Sequence, residues 1–552
     1  MFKFIIYAMF YLKNLKSIFL LCTKWFIVIK KVGKMQRKKE LGSFYTPQNL
    51  ADWVVERIIS QKTVHSVLEP SCGDGVFLTS LFKLSSTIPQ ATVVDIDTDA
   101  IVKVCKRFPK INIINNDFLF LKIDNKFDLV IGNPPYISKK NILPTQMEQC
   151  RKIHVENGLA DREVSNIWTA FLIKSCSLVK SSGILSLVLP AEFLQVKYAQ
   201  EIRNFIVHSF DRIEILSFRN FRFENTEQNT IVLFAYKKTE KSKGVFFKEI
   251  NSINELDDNI IFEKSELGSE MKWTANCLNA EELAVLNKVK QNPLVNNIDY
   301  YCSAVAGIVT AANSFFILNK EMVAKFKLKK YVVPIIQKGL FVNGNVCFNS
   351  EDFCKLYNSN TPCFLLNLSS VPESKFSLYL RDYLNIGYQK QIDKRYKCLQ
   401  RTRWFDVPSI WSSEGFFFKR SDKYPKMLVN QCNVYITDSG YRIKMKKMYH
   451  IENLTFSFYN TFTLLMAEIM GRSYGGGVLE LTPNEFKSLP IVYFDEVIDF
   501  NKFSVMFSNK KDIVDILKKN DEIILKNRLK LTDKEVCCIQ NAYLKLKNRR
   551  GA

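Results

Sequence analysis

The sequence predicts that the first half of the chain is a doubly wound α/β domain with a mainly parallel sheet. Short apolar runs alternate with helical patterns from Lys39 to about Lys238, and this alternation is typical of such sheets. A glycine-containing loop follows the first predicted strand, and polar residues follow the later ones. The chain has 552 residues, which is enough for two to four domains.

The predicted elements follow from hydrophobic periodicity. The strands are Ser66–Leu68, Ala91–Ile96, Ile111–Asn115, Phe127–Ile131, Ile184–Leu189 and Thr230–Tyr236. The helices between them are Leu50–Ser60, Val76–Leu84, Ile101–Phe108 and Thr169–Val179. A further helix is expected at Phe456–Met470, and the charged segment Lys510–Arg550 is strongly helical. We therefore expect an extension at residues 1–34, an α/β domain at 35–240, a mixed domain at 241–505 and a helical end at 506–552.

Composition excludes a disordered, collagen-like or low-complexity chain, because 47% of residues are hydrophobic and 24% are charged. The net charge of +23, from 78 Lys and Arg against 55 Asp and Glu, favours a polyanionic partner. Nucleic acid and an anionic membrane surface both fit that charge alone. Residues 321–450 carry 22 Lys and Arg against 10 Asp and Glu, a net +12, interleaved with aromatic residues. This concentration favours nucleic acid.

The basic residues that we single out in that region share a neighbourhood rich in aromatic side chains. They are Lys397, Arg401, Arg403, Lys419, Arg420, Arg442, Lys444, Lys446 and Lys447, with Trp404 among them. Arg and Lys suit phosphate groups and guanine edges. Each one alone is also an ordinary solvated charge, so none is assigned to a base.

The first 34 residues contain seven Lys and no acidic residue, with apolar runs too short to span a bilayer. A basic membrane-surface helix, a plain extension and translated upstream sequence before Met35 are the alternatives. We expect the third, and therefore no membrane partner. The 14 Cys form no CxxC pair, and with only four His there is no zinc-ligand spacing. We expect no metal and a reduced, cytoplasmic protein.

The loop between Val67 and Phe77 has the features of a cofactor site. Gly73 and Gly75 let the backbone approach a ligand closely at the end of a strand. Leu78 stands where a dinucleotide fingerprint requires its third glycine. Glu69 would repel a pyrophosphate but suits a positively charged cofactor, such as the amino and sulfonium groups of S-adenosylmethionine.

Acidic residues also follow the next two strands. Asp95 lies 22 residues after Gly73, the usual interval for a carboxylate that binds ribose hydroxyls. Asp117 and Phe118 could bind and stack an adenine ring. Each acid alone could be a turn or helix cap, but the placement at successive strand ends favours a nucleoside pocket.

The fourth strand leads into Asn133-Pro134-Pro135-Tyr136. A proline-rich turn is the simple interpretation of these residues. At a strand end downstream of the glycine loop, they also suit methylation of an adenine amino group. The Asn133 side-chain oxygen and the Pro134 carbonyl would accept its two hydrogens, and the prolines would hold that carbonyl rigidly. Tyr136 would stack on the base.

The order of these motifs resembles the TaqI-like, gamma-class adenine-specific DNA methyltransferases of restriction–modification systems, within the N(4)/N(6)-methyltransferase family. The resemblance implies a Rossmann-like S-adenosylmethionine-dependent methyltransferase domain, then a mixed α+β DNA target-recognition domain and a C-terminal helical segment. Gly307–Phe316 and Ser473–Leu481 resemble segments of that recognition domain. Ala311 departs from the family, which often has glycine at that position.

The resemblance also implies roles for individual residues. Thr46 would contact the methionine part of the cofactor, and Phe223 would stack on a flipped adenine, with Phe218 and Phe221 as neighbours. The cofactor site would be lined by Glu69, Gly73, Gly75, Asp95, Asp117 and Phe118. The target adenine would be held by Asn133, Pro134, Pro135 and Tyr136.

The expected function is transfer of a methyl group from S-adenosyl-L-methionine to adenine in double-stranded DNA. We expect a monomer, compatible with a separate cognate restriction endonuclease. An RNA or protein-glutamine methyltransferase shares the tetrapeptide, but does not need the large basic second half. A DNA-binding specificity subunit with a degenerate catalytic domain is disfavoured by the intact motifs. A nuclease fusion lacks a recognisable paired-acid and lysine motif.

Overall fold

The computed structural model describes residues 46–550 except 86–88, 223–228, 258, 266, 268–271 and 475–476. The expected extension at 1–34 and the predicted stacking residue Phe223 lie outside the described residues. The chain divides into two compact units, with the boundary between Trp273 and Thr274. No helix in the described ranges is long and apolar enough to cross a membrane.

Unit 1 contains strands and helices in alternation over most of its length. Its helices are α1 Gln48–Ile59, α2 Val76–Leu84, α3 Thr98–Arg107, α4 Pro144–Glu156, α5 Trp168–Ser177 and α6 Gln200–Ser209. Its strands are β1 Ser66–Glu69, β2 Gln90–Asp95, β3 Asn112–Asn115, β4 Phe127–Gly132, β5 Val179–Pro190, β6 Arg212–Arg222, β7 Asn229–Tyr236, β8 Gly244–Ile250 and β9 Glu263–Lys264.

The nine strands form one sheet in the order β3-β2-β1-β4-β5-β7-β6-β8-β9. The first five in that order are parallel, whereas β7 runs antiparallel to both β5 and β6. Alternate side chains of the strands face opposite sides. Leu68 and Val130 pack in the layer with α4, α5 and α6, whereas Val67 and Leu129 pack with α1 and α2. The sheet is therefore covered on both faces, as the alternating pattern predicts.

The predicted strands and helices of unit 1 all occur, with shifted ends. Strand β6 and helices α4 and α6 lie where no element is predicted. Beyond the expected boundary at residue 240 the same sheet continues, because β8 pairs in parallel with β6 and β9 pairs with β8. The polar run Lys237–Lys243 is only the connection between two strands, so the compact unit extends to Trp273.

Unit 2 is a mixed α and β structure. Its helices are α7 Ala280–Lys290, α8 Ile298–Tyr301, α9 Asn313–Phe316, α10 Lys320–Lys325, α11 Ser350–Asn358, α12 Leu378–Gln389, α13 Tyr396–Leu399, α14 Ile451–Phe458, α15 Thr461–Met470, α16 Pro483–Lys487, α17 Phe500–Ser508, α18 Ile513–Asp521 and α19 Asp533–Arg550. Its strands are β10 Val295–Asn297, β11 Cys302–Ala306, β12 Ile317–Leu318, β13 Val332–Ile336, β14 Cys347–Phe348, β15 Phe364–Leu366, β16 Gly415–Phe418, β17 Arg420–Ser421, β18 Lys426–Asn430, β19 Tyr435–Ile436, β20 Gly440–Met445, β21 Arg472–Tyr474, β22 Val478–Glu480 and β23 Pro490–Val492.

Two sheets form the centre of unit 2, in the orders β11-β20-β16-β18-β14 and β12-β15-β13-β19. The helix predicted at Phe456–Met470 is two helices, because the first ends at its C-cap Tyr459 and Asn460 caps the next by accepting from the Thr463 amide. The helical end is not separate from the unit. Helix α19 packs on α15 and α7, and Arg550 forms a buried, bidentate ion pair with Glu468.

Candidate active site

The carboxyl ends of β1, β2, β3 and β4 form one edge of the unit 1 sheet, because these strands are parallel neighbours. Parallel strands with helices on both faces bind ligands at this edge. Glu69 ends β1 and Asp95 ends β2. Asp117 and Asn133 follow β3 and β4. The structure therefore places these four sequence-predicted residues along one edge.

The glycine loop after β1 is tied to β2. Gly73 and Gly75 have φ angles of +52° and +76°, the left-handed region that favours glycine. The Gly73 amide donates to Asp95 Oδ2 at 2.7 Å, and the Asp97 amide donates to Asp95 Oδ1 at 2.8 Å. Burial raises the pKa of Asp95, although these amide bonds oppose the shift. Asp95 thus stabilises the loop, and its oxygens retain lone pairs for a ligand.

Glu69 is the most unusual group at the edge. Its side chain is only 1% exposed, and Oε2 makes no hydrogen bond within the described part of the chain. Burial raises the pKa of Glu69 well above its ordinary value, and repulsion from Asp95 and Asp74 adds to the effect. A buried carboxylate without a partner is costly. Glu69 is therefore suited to a cationic ligand.

The turn after β3 carries Asp117 and Phe118. Asp117 accepts from the Leu119 amide at 3.0 Å and from Gln146 Nε2 at 2.7 Å. The Phe118 ring is 2% exposed and packs 5.2 Å from the Phe171 ring, centroid to centroid. The structure thus places Asp117 at the sheet edge and the ring of Phe118 in the core. Stacking of Phe118 on an adenine ring is not tested by this packing and stays a prediction.

The side chain of Lys174 binds the backbone of the same turn. Its ammonium donates to the backbone oxygens of Phe118, Leu119 and Leu121 at 2.6, 3.1 and 2.5 Å. These bonds use all three of its protons. Burial lowers the pKa of Lys174 to about 8, against attraction from Asp117. The turn is held by a residue that the sequence does not single out.

Two exposed apolar side chains near the sheet edge were not predicted as site residues from the sequence. Ile96, directly after Asp95, is 50% exposed, and Phe120 is 50% exposed. Exposed apolar groups beside polar ligand-binding groups are typical of pockets for flat organic rings. The available signal was the apolar residue between two acids in Asp95-Ile96-Asp97.

The loop after β4 brings together residues from distant parts of the chain. Asn133 Nδ2 donates to Thr46 Oγ1 at 3.3 Å, and Ser71 Oγ donates to the Asn133 backbone oxygen at 2.9 Å. The bond to Thr46 orients the Asn133 side-chain amide, with its nitrogen toward Thr46 and its oxygen away from Thr46. Pro134 is buried, and Tyr136 donates its hydroxyl to the Val188 oxygen at 3.2 Å. The tetrapeptide is therefore held firmly beside Thr46.

In unit 2, the segment Gly307–Phe316 has unusual backbone geometry. Ala311 has a φ angle of +68°, in the left-handed region that favours glycine. A Cβ on Gly307 would lie 2.0 Å from the Thr437 backbone oxygen, so only glycine fits at that position. The segment Ser473–Leu481 contains the β21–β22 hairpin, of which residues 475–476 lie outside the described residues.

Several basic residues of unit 2 bind the protein itself. Arg401 donates to the oxygens of Trp404, Val309 and Thr310, Arg403 pairs with Asp406, and Arg420 pairs with Glu480. Buried Arg442 donates to the oxygens of Ala306 and Ser409 and lies 4.0 Å from the Trp411 ring centroid. Lys397, Lys444, Lys446 and Lys447 are exposed, and Lys419 is half-buried. Lys446 also donates to the Asp299 oxygen at 2.6 Å, so Lys397, Lys444 and Lys447 are the lysines best placed for a polyanion.

Two sequence families match the chain, one in each unit. Residues 79–223 match the family described as Eco57I restriction-modification methylase. Residues 270–525 match the C-terminal domain of Type II methyltransferase M.Eco57I.

Individual relatives agree with these matches. Type II methyltransferase M.AccI of Acinetobacter calcoaceticus is 26% identical over 534 residues, covering 89% of this chain and 94% of that protein. Type II methyltransferase M.HincII of Haemophilus influenzae is 29% identical over 218 residues, covering 40% of each chain. The Type IIL restriction-modification enzyme MmeI, solved in complex with DNA, is similar in fold, with a TM-score of 0.53 and 12% identity over 97% of this chain and 78% of that one. Together with the motif order, these matches support a Type II restriction–modification methyltransferase.

Proposed function

We propose that the protein transfers a methyl group from S-adenosyl-L-methionine to the exocyclic amino group of an adenine in duplex DNA. The observation that supports this most is the rigid Asn133–Tyr136 loop next to the edge that carries Glu69. A restriction–modification role, with a separate cognate endonuclease and a monomeric enzyme, is part of the proposal.

The residues at the sheet edge fit this cofactor. Glu69 would accept its cationic end, which gives a partner to the buried oxygen Oε2 that makes no hydrogen bond among the described residues. Thr46 would lie at the methionine part, Asp95 at the ribose hydroxyls and Asp117 at the adenine. Ile96 and Phe120 would pack on the adenine ring. The bound cofactor would supply an activated methyl group on its sulfonium.

The target amine needs help from the chain because its lone pair is delocalised into the adenine ring. Asn133 Oδ1 and the Pro134 carbonyl would accept its two hydrogens and turn the nitrogen toward tetrahedral geometry. The bonds that Asn133 makes to Thr46 and Ser71 prepare that arrangement in advance. Tyr136 would stack on the base and exclude water from one face.

A base inside a duplex cannot reach such a loop, so it must rotate out of the stack. Unstacking costs a few kcal/mol, and stacking on an aromatic side chain recovers about 1–3 kcal/mol per base. Tyr136 would supply part of this, with Phe223 as a second candidate by resemblance. Unit 2, with its net +12 over residues 321–450, would hold the DNA.

The decisive experiment compares wild type with Asn133→Ala on duplex DNA, using labelled S-adenosylmethionine. We expect transfer to fall about 100-fold or more, because an acceptor at the reacting amine is lost. Cofactor affinity measured by calorimetry should change little. Asn157→Ala is the matched control, since Asn157 only caps α4 through a bond to the Ile153 oxygen.

Mass spectrometry of digested product DNA identifies the modified base. N6-methyladenine is expected, whereas N4-methylcytosine would overturn the adenine assignment. Methylation of RNA or of a glutamine side chain in place of duplex DNA would overturn the proposed substrate. Near-wild-type transfer by Asn133→Ala would overturn the mechanism.

A further inference from the structure

The short helix α13 carries two large side chains that face solvent. Tyr396 is 75% exposed and Leu399 is 67% exposed. Since they are three residues apart on one helical turn, they share a face. We name residues 390–399 the Tyr396 turn.

Cations surround this apolar pair. Lys390, Lys394, Arg395 and Lys397 are all exposed, against the single acid Asp393, for a net charge of +3. The three lysines form no ion pair within the described part of the chain. Their charge is therefore available to a partner.

The backbone of the turn is well anchored in unit 2. Ile392 and Cys398 are 3% and 0% exposed, and the Ile392 amide donates to the Gly387 oxygen at 2.9 Å. Arg395 Nη1 donates to the Ala311 oxygen at 2.9 Å, so the turn is tied to the unusual Gly307–Phe316 segment. A binding surface that is already ordered loses little conformational entropy on association.

We propose that the Tyr396 turn is a DNA-contacting element, with its lysines on phosphates and the Tyr396–Leu399 pair against sugars or base edges in a groove. This rests on the proposed function, because it assumes a duplex substrate. The combination favours DNA over an apolar protein partner, since a protein interface is depleted in Lys at its centre. Apolar wedges flanked by cations are typical of groove-binding proteins.

The test measures duplex binding against salt concentration for Lys390→Ala/Lys394→Ala/Lys397→Ala. Each lost phosphate contact reduces the slope of log K against log salt by about 0.9, so the triple variant should lose about 2–3 from the slope. The matched control removes three exposed lysines elsewhere in unit 2, at Lys511, Lys518 and Lys519, and should change the slope much less. Tyr396→Ala should weaken binding about tenfold with little effect on the slope.

The outcomes separate the two proposals. If wild type binds duplex DNA but the triple and Tyr396→Ala variants keep its affinity and slope, the Tyr396 turn is refuted and the proposed function stands. If wild type binds no DNA, both fail. If the variants lose binding to phosphatidylserine vesicles but not to DNA, the turn is a membrane-surface element and the inference is wrong.

A separate observation concerns the chain directly after Tyr136. Two backbone hydrogen bonds, of 2.8 and 3.0 Å, join residues 137–139 to residues 165–167. The start of α5 therefore holds the exit of the catalytic loop. The carboxylate of Glu192 binds side chains at the start of α5.

Glu192 follows β5, and its Oε1 accepts three hydrogen bonds. They come from Asn166 Nδ2 at 3.2 Å, Trp168 Nε1 at 3.1 Å and the Tyr198 hydroxyl at 2.7 Å. Asn166 is 5% exposed and Trp168 is fully buried, so removing this acceptor leaves buried donors without a partner.

We infer that Glu192 is a positioning residue for Tyr136 and the target base. Tyr136 is attached to β5 through the Val188 oxygen, and the chain after it is attached to the same strand end through Glu192. Two attachments to one strand fix the ring on both sides. This inference also rests on the proposed function.

The test compares Glu192→Ala with Glu192→Gln, which keeps a side-chain oxygen as acceptor. Glu192→Ala should lower the single-turnover rate about 10- to 100-fold with unchanged cofactor affinity, and Glu192→Gln should restore most of it. Hydrogen exchange at the Lys139 and Ile167 amides should accelerate in Glu192→Ala. Glu201→Ala, which removes an acceptor for the Ala160 amide, is the control. It should leave the single-turnover rate and the exchange of the two amides unchanged.

The exchange measurement tests the inference even if no transfer is found. Unchanged protection of Lys139 and Ile167 in Glu192→Ala would refute the positioning role, whatever the activity. Equal loss of cofactor affinity and turnover, unrestored by Glu192→Gln, would show general destabilisation and also refute it.

Discussion

Replacing Glu69 by Gln should weaken cofactor binding while stabilising the cofactor-free protein. The carboxyl is 1% exposed, one of its oxygens has no hydrogen-bond partner in the described part of the chain, and Asp95 and Asp74 lie near it. Glutamine keeps the size and an acceptor oxygen but removes the charge that a cationic ligand needs. The effects on cofactor affinity and on stability therefore have opposite signs, as is common when a destabilising group serves binding.

The size of the affinity loss follows from the bond that is lost. A hydrogen bond to a charged group contributes about 1.5–3 kcal/mol, and each 1.4 kcal/mol is a factor of ten. We expect Glu69→Gln to bind S-adenosylmethionine about 10- to 100-fold more weakly. Because burial raises the pKa of Glu69, wild type should also release a proton on binding, and its affinity should rise with pH by up to about tenfold per unit until Glu69 ionises without ligand.

The sign for stability follows from the same shift. Above about pH 4.5 the carboxyl ionises in the unfolded chain but stays protonated in the folded one, so the folded state binds more protons. The free energy of unfolding of wild type should therefore fall as pH rises through that window, up to the raised folded pKa. Glu69→Gln should lack this decline.

Calorimetry in buffers of different ionisation enthalpy measures affinity and proton release together, and urea unfolding across pH measures stability. Asp128→Asn is the control. Burial acts to raise the pKa of Asp128, but bonds from Lys180 and Ser66 outweigh it and lower the pKa. That variant should lose stability at neutral pH and keep its cofactor affinity. Wild-type affinity and no change in proton release for Glu69→Gln would refute the reasoning.

Three other changes test the structure itself. His154 is fully buried, and burial lowers its pKa from 6.5 to about 4. The unfolded chain binds the extra proton, so the free energy of unfolding should fall by about 3 kcal/mol between pH 6.5 and 4, and His154→Gln should flatten this loss in urea titrations. Arg550→Ala should lower the free energy of unfolding by about 3–5 kcal/mol, because it leaves the buried carboxylate of Glu468 without its ion-pair partner. The double variant Arg550→Ala/Glu468→Ala should lose less stability than the sum of the losses of the two single variants. Ala311→Gly should raise the free energy of unfolding by about 1 kcal/mol, since it relieves a left-handed backbone; a loss of stability on thermal denaturation would contradict the φ angle.

Residues at strand ends were predictable because parallel neighbours end at one edge of a sheet. That rule alone brings Glu69, Asp95 and Asn133 together, and it needs no long-range information. The fold class follows for the same reason, from alternating periodicity.

Burial of a particular side chain was not predictable in the same way. Phe118 and Phe120 are two residues apart, yet one is in the core and the other is half exposed. The difference depends on Phe171 and Lys174, which the chain supplies some fifty residues later. Contacts with such distant residues cannot be inferred from the neighbouring sequence.

The arginines of unit 2 show the same limit. Arg401 and Arg442 look like polyanion ligands in sequence, but their guanidinium groups bind carbonyl oxygens more than ninety residues away in the chain. A basic residue is identified as a surface charge only when its distant neighbours are known.

The packing of α19 on α7 joins the first and last segments of unit 2, and Arg549 donates to the Thr274 oxygen at 2.6 Å. During synthesis, at about 5–20 residues per second, the ribosome needs tens of seconds to move from one segment to the other. Helix α15 ends at Met470 and α19 ends at Arg550, so the apolar residues of α15 that α19 covers stay uncovered for about 4–16 s of that time. Unit 1 can complete its sheet long before, so the unfinished second unit is the stage at which the newborn chain would most need a chaperone.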